Sequence, residues 1–224
     1  MLYFNIQNPS EKTTLKNAIL QSIGNDTGLY MPEVIPTLPV SFFTSLPNLS
    51  LPEIADTVAT AMFAEDIPAK EITSIVYEAL NFPIPLKKLK EDLYVLELFH
   101  GPTLAFKDVG ARFMAGLFSY FLQDDTQEVS ILAATSGDTG SAVANAFYNK
   151  KGIKVYILYP SGKVSALQEK QLTSMGGNIT ALEVDGNFDD CQKLVKQAFA
   201  DKALNQRMRL TSANSINFAR LFPQ

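Results

Sequence analysis

The segment FHGPTLAFKDVGARF, residues 99–113, carries an amine where it could act as a reagent. Lys107 stands between Phe106 and Asp108, at the point where an apolar run gives way to a helical pattern. Apolar surroundings disfavour the ammonium form of an amine, and the neutral amine is the nucleophile that forms Schiff bases. The alternative is a lysine whose methylene stem only carries its charge into solvent. The residues alone leave both interpretations open.

A second segment, TSGDTG at residues 135–140, has the composition of an anion-binding turn. It follows the apolar run VSILAA and opens a helical pattern. Hydroxyl groups and bare backbone amides at a helix N-terminus suit a phosphate or a carboxylate. The competing interpretation is that Ser136 or Asp138 only caps the helix.

A third segment, LYPSGKVS at residues 158–165, repeats the order of apolar run, small-residue turn and helix start, now with Lys163. Two interpretations of Lys163 stay open: a contact to an anionic substrate, or a solvated loop lysine of the common kind. The TSGDTG turn is not G-x-G-x-x-G, and SGKVS lacks the earlier glycine of G-x-x-x-x-G-K-[ST]. The spacing therefore excludes a dinucleotide fingerprint and a P-loop.

The composition excludes other kinds of site. With one histidine, His100, and one cysteine, Cys191, the chain cannot build a zinc site from several His or Cys ligands. A magnesium site built from carboxylates stays open but has no support in the sequence, and we expect no metal. A Ser-His-Asp triad would have to use His100, yet no G-x-S-x-G elbow is present. One cysteine forbids an intrachain disulfide, and the N-terminus MLYFNIQNPSEK lacks the regions of a secretory signal. These features predict a cytoplasmic protein.

Charge and hydropathy narrow the range of partners. The net charge is -4 and the sequence pI is about 5.1, without the clustered basic residues that bind a phosphate backbone. No window approaches the roughly 18 uninterrupted apolar residues that span a bilayer. We therefore expect neither nucleic acid nor a membrane as partner, and the sequence does not indicate an oligomeric state.

Helices and strands must position these side chains, and their pattern changes near residues 81–90. This boundary lies within the proline-containing segment NFPIPLKKLKEDLY. Before it, LPEIADTVATAMFAEDIP and AKEITSIVYEALNF have apolar residues at helical spacing, whereas residues 30–52 are proline-rich and irregular. We predict a small, mostly helical N-terminal domain over residues 1–82 and a second domain over residues 83–224.

In the second domain, short apolar runs alternate with helical stretches. The predicted strands are YVLELF, VSILAAT, KVYILY, ITALEV and MRLTSA, and the predicted helices are DVGARFMAGLFSYFLQ, DTGSAVANAFYNKKG, KVSALQEKQLTSMGG and FDDCQKLVKQAFADKAL. Apolar strands joined by helices indicate an α/β fold with a doubly wound, mainly parallel sheet. In such sheets ligands bind beyond the carboxyl ends of the strands.

Three segments in this order, FHGPTLAFKD, AATSGDTGSA and NSINFARLFPQ, resemble the threonine synthase family. GGNITALEVDGNFDDCQ and the early segment IGNDTGLYMPE are also similar, so the resemblance covers essentially the whole chain. The resemblance implies a tryptophan-synthase-β-like fold and the cofactor pyridoxal 5′-phosphate. It also implies conversion of O-phospho-L-homoserine and water into L-threonine and phosphate, with Lys107 as the residue that binds the cofactor covalently and then shuttles protons.

The resemblance also implies a set of binding residues. The turn that would hold the substrate carboxylate comprises Thr135, Ser136, Gly137, Asp138 and Thr139. Asp138 stands where related enzymes usually carry asparagine beside the cofactor 3′-oxygen, so its acid must share a proton or meet an ammonium group. Further motif positions that would approach the substrate or its phosphate are Lys163, Ser165, Asn187, Asn214, Ser215, Asn217 and Arg220.

Other interpretations stay open beside the resemblance. Asn214 could only shape a turn, and Arg220 could only form a surface ion pair. In the family, the glycine-rich loop for the cofactor phosphate comes later than NSINFAR, so we expect an incomplete catalytic domain without activity of its own. The alternatives are another enzyme of the same fold, such as a phospho-lyase or a dehydratase, and a non-catalytic anion-binding module.

Overall fold

A small antiparallel sheet opens the chain in the computed structural model, which describes residues 1–24, 26 and 28–224. Its central strand β1 (Leu2–Asn5) pairs with β2 (Lys12–Thr14) and β3 (Tyr30–Pro32). The sequence pattern does not predict these strands, because three or four residues give too few alternations to reveal a period of two. Asn25 and Thr27 of the family-like segment IGNDTGLYMPE lie outside the described residues.

Helices make up most of the regular structure before residue 81, as predicted. They are α1 (Leu15–Gln21), α2 (Val40–Ser45), a short 3-10 helix (Leu46–Asn48), α3 (Leu51–Phe63) and α4 (Ala69–Ala79). Ser50 and Glu53 form a reciprocal capping box that fixes where α3 begins. The helical spacing in the sequence thus identified α3 and α4 correctly.

A hairpin follows, formed by β4 (Leu86–Lys90) and β5 (Leu93–Leu96). The two strands are antiparallel, and all of their residues are exposed. The prediction that YVLELF belongs to the parallel sheet is therefore wrong. Its partner precedes it by only a tight turn at Glu91 and Asp92, and a connection this short joins antiparallel strands.

The main sheet is parallel throughout. Its strands are β6 (Val129–Ala134), β7 (Ile153–Pro160), β8 (Ile179–Val184) and β9 (Leu210–Thr211), in the order β8-β7-β6-β9. The accompanying helices are α5 (Lys107–Leu122), α6 (Asp138–Phe147), α7 (Ala166–Thr173), α8 (Phe188–Ala200), α9 (Lys202–Met208) and α10 (Phe218–Leu221). Four of the five predicted strands are therefore confirmed in this sheet.

The stretch FDDCQKLVKQAFADKAL, predicted as one helix, consists of two. Asp201 adopts an extended backbone between α8 and α9, and its side chain accepts a hydrogen bond from the amide of Leu204. This aspartate ends one helix and caps the next, because its carboxylate satisfies an amide that lacks a partner at a helix start.

Both faces of the main sheet are covered. On one face, Leu132 and Leu158 pack with the buried Cys191 of α8. On the other, Ile131 and Val155 join a large core that includes residues of α5 and α6. Apolar side chains of β6 and β7 thus enter two different cores, as expected for a doubly wound sheet.

The large core continues into the N-terminal part of the chain. The ring of Phe63 in α3 is fully buried and lies 5.9 Å, centroid to centroid, from Phe113 in α5. It also lies 6.1 Å from Phe218 and 4.7 Å from Phe222. The division into domains at residues 82 and 83 stays a prediction, and hydrophobic packing runs across it.

Within residues 1–24, 26 and 28–224, no helix combines the length and the apolar character needed to cross a bilayer.

Candidate functional site

Four strand-to-helix loops meet at one edge of the main sheet, beyond the carboxyl ends of β6, β7, β8 and β9. From β6 the chain moves outward to β7 and β8, then returns to place β9 on the other side of β6. Such a reversal of strand order opens a crevice where ligands bind in α/β sheets. The predicted binding residues after Ala134 lie in these loops or at the helix starts that follow them.

Lys107 is the first residue of α5, and the structure brings it to the start of α6. Its Nζ lies 3.8 Å from Oδ2 of Asp138, and about a quarter of its side chain is exposed. The same Nζ lies 5.2 Å from the ring centroid of Phe106. The amine thus has one apolar neighbour and one carboxylate, and it remains accessible from solvent. The nitrogen that meets the Asp138 carboxylate is thus Nζ of Lys107, and the role expected for Asp138 stays a prediction.

A buried aspartate anchors the loop that leads into Lys107. The Asp108 carboxylate accepts hydrogen bonds from the amide of Thr103 at 2.9 Å and from its Oγ1 at 2.6 Å. Gly101 lies so close that a Cβ there would come within 2.4 Å of Oδ2 of Asp108. Asp108 therefore fastens the loop onto the first turn of α5 and fixes where Lys107 emerges.

Thr135 organises the TSGDTG turn from inside. Its buried Oγ1 accepts hydrogen bonds from the amides of Gly137 at 3.0 Å and Gly140 at 2.8 Å, and it donates to the carbonyl of Gly137. Because these bonds occupy the hydroxyl, it shapes the turn in this structure and does not face an open site. Its predicted contact to a substrate stays a prediction.

The turn offers donors to an anion through its backbone. Asp138 and Thr139 begin α6, where amides have no carbonyl partner within their own helix. Ser136 is exposed beside them, and Thr139 is half-buried. Unbonded amides at the positive end of a helix attract carboxylate or phosphate groups.

Gly137 permits the close approach of a side chain that the sequence analysis missed. Its φ is 146°, which is strained for any residue with a side chain. A Cβ there would lie 2.3 to 2.6 Å from the side-chain amide atoms of Gln168 in α7. Gln168 in turn donates a hydrogen bond from Nε2 to Oδ1 of Asp138 at 2.7 Å. The spacing of Ser165 and Gln168 is that of a capping box, but only the folded structure reveals the bond from Gln168 to Asp138.

Replacing Gly137 with alanine is expected to lower the free energy of unfolding by about 3 kcal/mol, from backbone strain together with the collision with Gln168. The control is Gly152→Ala, at φ 74° with nothing within 4 Å of the added Cβ, so that strain alone costs about 1 kcal/mol. Urea denaturation of both variants measures the difference. Equal losses in the two variants would show that Gln168 yields freely.

The loop after β7 presents Lys163 and Ser165. The Lys163 side chain is exposed. Ser165 caps α7: its Oγ accepts a hydrogen bond from the amide of Gln168 at 3.3 Å and donates to Oε1 of Gln168 at 3.1 Å. Lys163 is therefore placed to meet an anion from solvent, while the Ser165 hydroxyl is already bonded.

Asn187 and Asn214 follow the next two strands. Oδ1 of Asn187 caps α8 by accepting hydrogen bonds from the amides of Asp189 and Asp190. Asn214 is exposed, and its Oδ1 accepts a hydrogen bond from Oγ of Ser215 at 3.2 Å. Both asparagines therefore bond locally, and their predicted approach to a substrate stays a prediction.

Asn217 and Arg220 point into the protein. The fully buried Asn217 donates from Nδ2 to the carbonyl of Ile19 at 2.8 Å and accepts from the amide of Ala219. Arg220 is 1% exposed and donates from Nη1 to the carbonyl of Ala213 at 2.6 Å. The surface ion pair considered for Arg220 is wrong, because this guanidinium is buried and burial lowers its pKa. Within the described part of the chain, its Nε has no hydrogen-bond partner.

A cavity of about 360 Å³ lies elsewhere, between α3, α4, β5 and the start of α5. Its lining is apolar apart from Gln224 and contains no titratable side chain. A cavity without acids, bases or fixed charges cannot orient a polar substrate or move a proton. The carboxyl edge of the main sheet is therefore the candidate site.

Comparisons with known proteins match two family models to consecutive parts of this chain. Residues 77–218 match the family described as pyridoxal-phosphate dependent enzyme. Residues 2–80 match the family described as threonine synthase N terminus.

Individual relatives match along the whole chain. The threonine synthase of Haemophilus influenzae is 48% identical over 224 residues, covering 100% of this chain and 52% of the relative. A crystal structure of threonine synthase from Escherichia coli has a TM-score of 0.90 at 43% identity, covering 100% of this chain and 52% of that one. A structure of threonine synthase with bound pyridoxal phosphate, from Brucella melitensis, has a TM-score of 0.92 at 38% identity, with coverages of 100% and 49%. The chain spans about half the length of the relatives it matches.

Proposed function

The chain belongs to the family of pyridoxal-phosphate-dependent enzymes, and from this premise we propose that it carries the reactive lysine of a threonine synthase. The proposed reaction converts O-phospho-L-homoserine and water into L-threonine and phosphate. The observation that carries the proposal is the position of Lys107, whose amine faces Asp138 at the start of α6. The similarity to threonine synthases along all 224 residues supports the choice of reaction.

The residues at this edge fit the cofactor. An aldehyde needs an accessible amine, and Lys107 offers one with about a quarter of its side chain exposed. Lys107 would hold the cofactor covalently, and Asp138 would lie beside it. When bound, pyridoxal phosphate supplies an electron sink for negative charge on the substrate carbon next to the amino group.

The chain's own groups then have separate tasks. Nζ of Lys107 takes a proton from that carbon and returns it, because it is the titratable donor and acceptor held at this point. The free amides of Asp138 and Thr139 bind the substrate carboxylate and so orient the carbon toward the lysine. The exposed ammonium group of Lys163 attracts the substrate phosphate.

The other proposed binding residues have smaller or indirect tasks. Ser136, Ser215 and Asn214 are exposed, and each would approach the ligand from its loop, Ser215 and Asn214 after giving up the hydrogen bond between them. Thr135, Gly137, Ser165, Asn187, Asn217 and Arg220 act through the shape of the loops that they bond or permit. The partner is a small molecule, and the single buried cysteine supports a reducing, cytoplasmic location.

Product analysis tests this function. The protein expressed from its natural gene is incubated with pyridoxal phosphate and O-phospho-L-homoserine, and threonine and phosphate are quantified. We expect equal amounts of the two products, because each turnover releases one of each. Formation of 2-oxobutyrate without threonine would contradict the proposal and favour a lyase or a dehydratase. Anion binding without turnover would favour a non-catalytic module.

A further inference from the structure

Gln168 is a polar side chain at the candidate site to which the proposed reaction gives no task. It is the third residue of α7 and is partly buried. Its Oε1 accepts hydrogen bonds from the amide of Ser165 at 3.2 Å and from Oγ of Ser165 at 3.1 Å. Its Nε2 donates to Oδ1 of Asp138 at 2.7 Å. Both ends of the side-chain amide are therefore engaged.

The neighbours dictate which way this amide faces. The backbone N–H of Ser165 can only donate, so it requires Oε1 of Gln168. An ionised Asp138 can only accept, so it requires the NH₂ group. The reversed orientation would set donor against donor and acceptor against acceptor. The bond between Gln168 and Asp138 therefore follows from the chemistry of both neighbours.

Asp138 turns its other oxygen toward Lys107. The separation from Oδ2 to Nζ is 3.8 Å, and 54% of the Asp138 side chain is exposed. An exposed ion pair of this length is weak, and it does not by itself hold a carboxylate in one orientation. The shorter bond from Gln168 fixes one carboxylate oxygen, and the other oxygen is thereby directed at the amine.

We propose that Gln168 is a positioning residue that holds the Asp138 carboxylate toward Lys107. The Gln168 side chain also links the start of α7 to Asp138. Lys163 and Ser165 immediately precede this helix. Gly137 makes this possible, because any side chain there would displace the Gln168 amide. The inference rests on the function proposed above, since only a reactive Lys107 gives the orientation of Asp138 a purpose.

Competitive labelling of the intact protein tests this inference. Lysines are reductively methylated with formaldehyde, and mass spectrometry gives the rate at Lys107 relative to Lys150, an ion-paired lysine of similar exposure outside the site. In Gln168→Met this ratio is expected to rise about two- to five-fold, because a carboxylate that turns away no longer holds the Lys107 amine in an ion pair. A purely structural role would change the labelling of many lysines together and would leave this ratio unchanged.

Two controls separate positioning from helix capping. Ser165→Ala breaks the same capping box but keeps the bond from Gln168 to Asp138, so the labelling ratio should not change. In an Asp138→Asn background, Gln168→Met should add nothing, since the residue through which it acts has lost its charge. If Gln168→Met does not fold, Gln168→Ala also removes the donor and leaves no side chain to misfit.

Three results would overturn the role of Gln168: an unchanged ratio in Gln168→Met, an equal rise in Ser165→Ala, or an effect that persists beside Asp138→Asn. Failure of the proposed function is distinguishable from these. If pyridoxal phosphate does not attach at Lys107 in the unaltered protein, the proposed function fails whatever the labelling ratio. If attachment occurs and the ratio stays flat, only the role of Gln168 fails.

Discussion

In the protein expressed from its natural gene, Lys107→Ala is expected to abolish covalent attachment of pyridoxal phosphate and to lower threonine formation by about 10²- to 10⁴-fold, the usual range for losing a positioned proton-transfer group. The physical reason is the loss of Nζ, the amine that lies 3.8 Å from Asp138 at the start of α6. Borohydride reduction followed by peptide mass spectrometry measures the attachment. Chromatographic assay of threonine measures the activity.

Lys150→Ala is the matched control. The Lys150 side chain is 26% exposed, against 25% for Lys107, and it is also ion-paired, with Oε1 of Glu78 at 2.9 Å. It lies outside the candidate site, so attachment and activity should both persist. The proposal would be contradicted if the Lys107→Ala variant kept its activity and carried the trapped cofactor on another lysine. Lys107 would then take no part in the reaction.

Phe63→Ala is expected to lower the free energy of unfolding by about 3–5 kcal/mol, because it removes a fully buried ring and leaves a cavity. The ring contacts of Phe63 cross the predicted domain division, to Phe113 in α5 and to Phe218 in α10. The loss should therefore appear as one cooperative transition that moves to lower urea concentration. Circular dichroism and tyrosine fluorescence should report the same midpoint.

The comparison variant is Phe43→Ala, whose ring is 55% exposed and whose loss should change the free energy of unfolding by at most about 0.5 kcal/mol. Two separate transitions, of which Phe63→Ala moves only one, would mean that residues 1–82 unfold as an independent domain. A single shifted transition would mean that the two parts share one core.

The main sheet could be predicted because its strands are continuous apolar runs separated by helices, a pattern that local sequence displays. The segment YVLELF, which forms β5, was assigned to the wrong sheet, because an apolar run does not determine the strand with which it pairs. Strand β1 was missed because its pairing with β2 and β3 depends on contacts that no periodicity records.

The site was predictable to a similar degree. Lys107 and the TSGDTG turn carry local signals, an amine at a helix start and bare amides after a strand. Their meeting through Asp138 requires the starts of α5 and α6 to converge, which is a property of the fold. Gln168 has the local signal of a helix cap, but its bond to Asp138 depends on the fold. Asn217 and Arg220 are buried, although polar residues of these types are usually exposed. Residue type alone therefore did not predict their burial.

The hydrogen bond from Asn217 to Ile19 joins residues 198 positions apart. It satisfies a carbonyl in the last turn of α1, where helices leave such groups unpaired. The carbonyl of Ile19 therefore gains this partner only after a ribosome has made nearly all of the chain. Closing so long a loop costs chain entropy before the contact repays it, so contacts of this kind slow the folding of the whole protein.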